Sequence, residues 1–142
     1  MSVTQAVYDR LAADPTLASM LAAYEGRPAV FTYEPVPGDA PLPLIVSSGD
    51  VSGRVNVPES TKLTYGARVM RDVRIFAEAS GSMAEIEAIA ERVWELFEKA
   101  EMFVPGWTQV LRARAQRPIM GPRDERVYML IVSITISVSR EG

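Results

Sequence analysis

The chain has 142 residues, 48% of them hydrophobic and 23% charged, with 10 Pro against 9 Gly, the size and balance of one folded domain with a substantial core. Its 15 Lys or Arg against 18 Asp or Glu leave a net charge of −3, too near balance for a general field that attracts nucleic acid. It contains neither Cys nor His, which excludes disulfide staples, thiolate nucleophiles, Cys/His zinc sites and imidazole acid–base chemistry. The opening MSVTQAVYDR has no basic-then-apolar signal and no stretch approaches the length of a membrane span, so neither export signal nor membrane partner is expected.

Val3, Val7 and Leu11, spaced by four with Ala6 beside them, predict a helix from about Val3 to Ala13. Asp14-Pro15 breaks it and opens a second short helix, with Asp14 as N-cap and Pro15 in the first turn, through Leu17, Met20 and Leu21 towards Tyr24. Gly26 ends it. Five prolines between positions 27 and 44 leave room for one short strand at Ala29–Tyr33, near a sheet edge, before a second strand at Leu44–Ser48.

From Asp50 to Gly66, Val51, Val55, Val57, Leu63 and Tyr65 are scattered among polar residues, too polar for a core strand and too apolar for a plain linker. The pattern reads as a long hairpin-like excursion, either a functional arm or an ordinary surface loop. Arg68 to Ala79 is extended again: Val69, Val73, Ile75 and Ala77 share one face, which Arg71 interrupts, while Met70, Asp72, Arg74, Phe76 and Glu78 share the other.

Ser82-Met83-Ala84-Glu85 has the spacing of a capping box. The helix it opens, 83–99, carries Met83, Ile86, Ile89, Ala90, Val93, Trp94 and Phe97 on one arc and Glu87, Glu91, Glu95 and Glu98 on the other. Like charges four apart destabilise an isolated helix by about 0.2–0.5 kcal/mol per pair, so the acidic ladder is either solvated or neutralised by arginine from a neighbour. Trp107 to Gln116 reads as a strand with Arg112 and Arg114 on one face, and Ile119 to Glu125 as a turn. Tyr128 to Val138 alternates without interruption and is the strongest strand.

The expected fold is α+β: one domain over 1–142, with a mainly antiparallel sheet of four or five strands, one long amphipathic helix packed across it and short N-terminal helices. Catalytic patterns are weak. Ser60-x-Lys62 is a chance-level pair, Glu85 and Glu87 do not face each other, and Glu91 and Glu95 imply no pocket. Neither calcium-loop nor phosphate-loop spacing occurs, so no catalytic residue, cofactor or metal is expected. Arg68, Arg71, Arg74, Arg112, Arg114, Arg117, Arg123 and Arg126 could form a basic surface if the strands at 68–79 and 107–117 are neighbours, with Trp107 and Tyr128 as aromatic surface. The one long helix is acidic, against a base-reading role. Protein contact and phosphate contact both remain open for these arginines.

The ordered combination of the N-terminal helix entering Asp14-Pro15-x-Leu17, the Pro41-Leu42-Pro43-Leu44-Ile45-Val46 strand entry, the Arg71-Asp72-Val73-Arg74-Ile75-Phe76-Ala77 strand running into the helix at 83–99, and the closing Arg126 to Val138 strand resembles the tail-completion, or tail-terminator, family of long-tailed bacteriophages and gene transfer agents. The resemblance spans nearly the full chain and implies a non-enzymatic virion protein, assembled in the host cytoplasm. Such a protein forms a homohexameric ring at the head-proximal end of the tail tube, ends tube polymerisation and serves head–tail joining. Its implied partners are copies of itself, the tail tube protein and the head–tail connector protein, with DNA passing through the lumen without sequence-specific binding. On this expectation Glu87, Glu91 and Glu95 form one intersubunit face and Arg71, Arg74 or Arg112, Arg114 the complementary one. Val55, Val57, Leu63 and Tyr65 become arm contacts, and most arginines point at protein rather than at the lumen. A DNA-contacting connector accessory and a cellular oligomeric adaptor are the alternative readings.

Overall fold

The computed structural model describes residues 3–33, 35–55, 64–102, 104, 108–121 and 126–141, and for 48–55, 64–67, 108, 110–111 and 139–141 it describes the backbone. Helix α1 (Val3–Ala12) buries the predicted stripe Val3, Val7 and Leu11. Asp14 then caps α2 (Pro15–Met20), its Oδ2 accepting the Leu17 N–H at 2.8 Å, with Pro15 in the first turn. The second helix ends before the predicted Tyr24 because the Ala22 N–H donates to the Pro43 carbonyl instead of continuing the helical ladder. Glu25 and Gly26, with φ of 51° and 79°, join β1 (Ala23–Tyr24) to β2 (Arg27–Pro28) in a small antiparallel hairpin. Positive φ at both turn positions is what a two-residue primed turn requires, and Gly supplies it without steric cost.

The main sheet runs β3 (Val30–Phe31), β4 (Leu44–Val55), β5 (Thr64–Glu78), β8 (Val127–Glu141) and β6 (Thr108–Ala115), with β7 (Ile119–Met120) beside β6 along the same edge of β8. β3 lies at the outer edge, where the prolines around it fit, and pairs parallel with β4. The other pairs are antiparallel. The fold is therefore α+β and mainly antiparallel, with the long helix across the sheet. The sixth strand of this sheet, among the described residues, is β7. Its two residues read as turn because Pro118 and Gly121 bracket them, yet they pair with Ile131 and Leu130.

Helix α3 (Ala84–Phe97) places Ile86, Ile89, Ala90, Val93, Leu96 and Phe97 in a core shared with Val69, Val73, Ile75 and Ala77 of β5, with Leu130, Val132, Ile134 and Ile136 of β8, and with α1. Each large side chain so buried contributes about 1.5–3 kcal/mol, so this layer outweighs any ion pair in holding α3 to the sheet. The start of α3 differs from a full capping box. The Ser82 hydroxyl accepts the Ala84 N–H at 3.2 Å, but Met83 is the cap residue and no side chain caps it. On the opposite face of the sheet Ala29, Leu44 and Val46 form a smaller cluster with Val36, Ala40, Leu42 and Phe76.

The β5–β8 register is unbroken from Glu78↔Val127 to Thr64↔Glu141. β4 follows β5 with register shifts between Ser47 and Asp50 and between Asp50 and Arg54, irregularities that bend an outer strand and spoil it as a template for further pairing. The predicted excursion at 50–66 is thus, over 50–55 and 64–66, a continuation of the sheet. The backbone of Val55 pairs with Arg68 and that of Tyr65 with Arg140; Val57 and Leu63 lie outside the described residues.

Candidate assembly surfaces

Glu87, Glu91 and Glu95 stand on the exposed side of α3 as the helical spacing predicts. The nearest cations belong to the same chain. Arg117 Nη1 donates to both Glu91 carboxylate oxygens at 3.1 and 3.3 Å while its guanidinium lies 3.9 Å from the centroid of the Trp94 ring. Arg92 Nη1 donates to Glu95 at 3.1 Å. Among the described residues no cation pairs with Glu87.

Arg112 and Arg114 share the exposed face of β6, on either side of buried Ala113. Arg112 approaches Glu101 at 3.5 Å. Arg114 Nε is 2.8 Å from Glu98 Oε1, but that oxygen has no hydrogen-bond partner, so the contact is ionic without hydrogen-bond alignment. Both arginines are mostly in solvent, where such pairs contribute about 0–1 kcal/mol. The chain after α3 closes the outer edge of β6: Lys99 N–H donates to the Ala113 carbonyl at 2.7 Å and Ala113 N–H to the Ala100 carbonyl at 2.9 Å. The Gln109 amide extends this seam, accepting the Met102 N–H at 2.9 Å and donating to the Ala100 carbonyl at 3.0 Å.

Arg71 and Arg74 do not form one basic face. Strand alternation puts them on opposite sides of β5, and Arg71, only 3% exposed, is an interior residue rather than a surface contact. Its Nη1 donates to Thr4 Oγ1 at 2.8 Å and its Nη2 to the Ser47 carbonyl at 3.1 Å, tying α1 to β4 beside the first register shift. The strands carrying Arg74 and Arg114 are not neighbours either, because β8 lies between them. Directly paired residues share a face. Arg68 and Ser137, Met70 and Thr135, Thr135 and Arg114, and Arg74 and Ile131 are such pairs, so the four arginines Arg68, Arg74, Arg112 and Arg114 lie on the side of the sheet away from α3. The acidic arc of α3 and these arginines therefore lie on opposite sides of one sheet, although Asp72 and Glu78 share the arginines' side and Arg92 and Arg117 stand with the helix.

The best-formed ion pair is one that sequence spacing concealed, since Arg92 reads only as an isolated cation among glutamates. Its Nη2 donates to Asp14 Oδ1 at 2.6 Å and its Nε to Asp14 Oδ2 at 2.9 Å. The Asp14 side chain is 10% exposed and that of Arg92 28%. Hydrogen bonding from Arg92, helped by the Leu17 N–H and opposed by burial, holds the Asp14 carboxyl below its ordinary value. One aspartate thereby caps α2 and fastens it to α3, while Arg10 Nε donates to the Leu96 carbonyl on the same flank.

Large apolar side chains are exposed at Tyr33, Ile119 and Met120. Met120, Met83, Ala90, Pro118 and Leu130 line a cleft of about 390 Å³ between α3 and β7, with Glu87 and Glu91 at its rim. A groove of about 480 Å³ on the other side of the sheet runs under Pro35–Leu42 to Phe76 and Val127. Among the described residues no cluster of three or more acidic side chains is placed to hold a metal ion, and no helix is long and apolar enough to cross a membrane. Ser60 and Lys62 lie outside the described residues.

No protein-family profile matches the sequence, and no curated protein sequence matches it. Among solved structures, the fold is similar to that of a chain from the virion of a native gene transfer agent particle, with a TM-score of 0.73 and 22% identity over 99% of this chain and 95% of that one. Likeness at that identity is one of fold.

Proposed function

We propose that the chain is a structural protein of a phage-like particle that closes into a ring, most simply a homohexamer, at the head-proximal end of the tail tube. There it ends tube polymerisation and joins tail to head. The observation that carries this reading is the shared fold, over nearly the whole length of both chains, with a chain from a gene transfer agent virion.

The charge layout supports a ring. A chain with an acidic helix face on one side of its sheet and arginines on the other has two different surfaces, as head-to-tail contacts require, and closure of such contacts prevents an endless filament. Glu87, Glu91 and Glu95 supply the first surface; Arg74, Arg112 and Arg114 belong to the second. Arg71 drops out of the contact because it is interior. The extended β4–β5 ribbon carries Val55 and Tyr65 beyond the register shifts, and together with Val57 and Leu63 they serve as the arm onto the neighbouring copy or the tube. The role is non-enzymatic. DNA passes without sequence-specific binding, in keeping with arginines 92, 112, 114 and 117 being paired with acids of their own chain rather than free to hold phosphate.

Light scattering and negative-stain imaging of the protein, alone and with tail tubes, test the reading. A ring capping one tube end is expected; tubes that stay uncapped and keep elongating overturn it. Deleting residues 52–64 is expected to abolish tube binding, and unchanged capping by that variant removes the arm from the reading.

A further inference from the structure

β7 is where the fold leaves two adjacent large apolar residues in water: Ile119 is 57% exposed and Met120 58%. The segment is held in the sheet by its pairing with Leu130 and Ile131 and by the Gly121 N–H, which donates to the Met129 carbonyl at 2.9 Å. Alternation along the strand sends the two side chains to opposite sides of the sheet. Met120 enters the cleft beside α3, whose rim is Glu87 and Glu91. Ile119 falls in the cross-strand row of Ile131 and Arg74, on the side that also carries Arg114. Each side thus has an apolar centre with charges around it: Glu87 and Glu91 beside Met120, Glu91 already holding Arg117, and Arg74 and Arg114 together with Asp72 on the side of Ile119.

We propose that the Met120 side of one copy docks on the Ile119 side of the next, so that the two residues of β7 anchor successive head-to-tail contacts between copies of this chain. The inference rests on the ring reading above and names its anchors. The occupant is a second copy because the complement to each side is present on the same molecule. Glu87, without a cation among the described residues, would meet arginine, whereas a two-fold contact through the Met120 side would set Glu87 near Glu87 of the second copy. Arg74 and Arg114 both already take part in interactions of their own chain, Arg114 with Glu98; the Arg114 pair lacks hydrogen-bond alignment and its guanidinium is exposed, so exchanging it for Glu87 of the next copy costs little. An apolar centre inside a polar rim is the usual build of a protein interface, and central anchors dominate its free energy.

The test uses Met120→Glu and Ile119→Glu in the full chain, with circular dichroism and thermal melts to establish that both fold like the wild type. Light scattering then reads the mass of each variant and of their equimolar mixture, and negative stain reads tube capping. Each variant alone is expected to lose assembly by at least about tenfold in the concentration required. Each also keeps one intact side, so the mixture is expected to form a dimer and stop there. Wild-type assembly that survives both substitutions overturns the anchors and leaves the ring reading standing. Variants that stay monomeric when mixed overturn the head-to-tail geometry. Failure of the wild type to assemble, alone or on tubes, sinks the ring reading itself.

Discussion

Arginine meets α3 on two flanks, with different results. On the flank of α1 and α2, Arg92 grips both oxygens of an aspartate that is itself a helix cap and nearly out of solvent. On the flank of β6, Arg114 and Arg117 reach Glu98 and Glu91 from positions more than two-thirds in water. The distances are similar, and distance is a poor guide to worth. Asp14 takes two aligned bonds from Arg92 and a third from the Leu17 N–H, whereas Glu98, almost as far out of solvent, accepts no hydrogen bond at Oε1 and Glu91 is half in water. The first flank holds the N-terminal helices in place; the second leaves its charges free to exchange partners at little cost.

The buried floor of α3 sets the scale for breaking this contrast. Phe97→Ala removes a fully buried side chain and is expected to lower unfolding stability by about 3–5 kcal/mol, read from urea denaturation, more than any change on either flank. Next come two changes at Asp14. Asn keeps the cap but not the charge, while Ala loses both, so Asp14→Ala should fall below Asp14→Asn by about 1 kcal/mol, the worth of an N-cap.

The pH dependence sharpens the same point. Because the Asp14 carboxyl is held below its ordinary value in the folded chain, its stabilising contribution is complete above the unfolded carboxylate value of about 3.9 and fades as pH falls through the lower folded value. The gap between wild type and Asp14→Asn should therefore be constant from pH 7 to about 5 and close below about pH 4; a gap that persists at pH 2 would assign the effect to something other than the Arg92 pair. The smallest effect is expected on the outer flank, where Arg117→Met gives up one exposed pair and a ring contact, under about 1 kcal/mol.

Much of the fold was legible from spacing. Alternation in 69–77 and 130–138 and the 3.6-residue stripe of 86–97 each mark a surface buried on one side only, the condition under which periodicity carries information. Residues whose partners are distant in sequence were not legible. Nothing local announces that Arg71 will bond Thr4, 67 positions away, or that Arg92 will bond Asp14, 78 positions away. β7 was hidden for another reason: two residues are too few to show a period, and Pro118 and Gly121 advertise a turn. The bare fact of Ile119-Met120 in so polar a stretch was the available signal. The acidic ladder is legible in the helical spacing, whereas Arg117 comes against it only because the segment after β6 runs beside α3.

The unbroken β5–β8 ladder has a consequence for how the protein behaves in flow. Its 15 paired positions, at about 3.4 Å each, make a ribbon about 50 Å long, whereas a sphere with the radius of gyration of a compact chain this size, about 14–15 Å, is about 37 Å across. So long a member raises the frictional drag of a single copy. A monomer of 15.6 kDa would leave a sizing column early and sediment slowly, and a copy number taken from elution volume would come out too high.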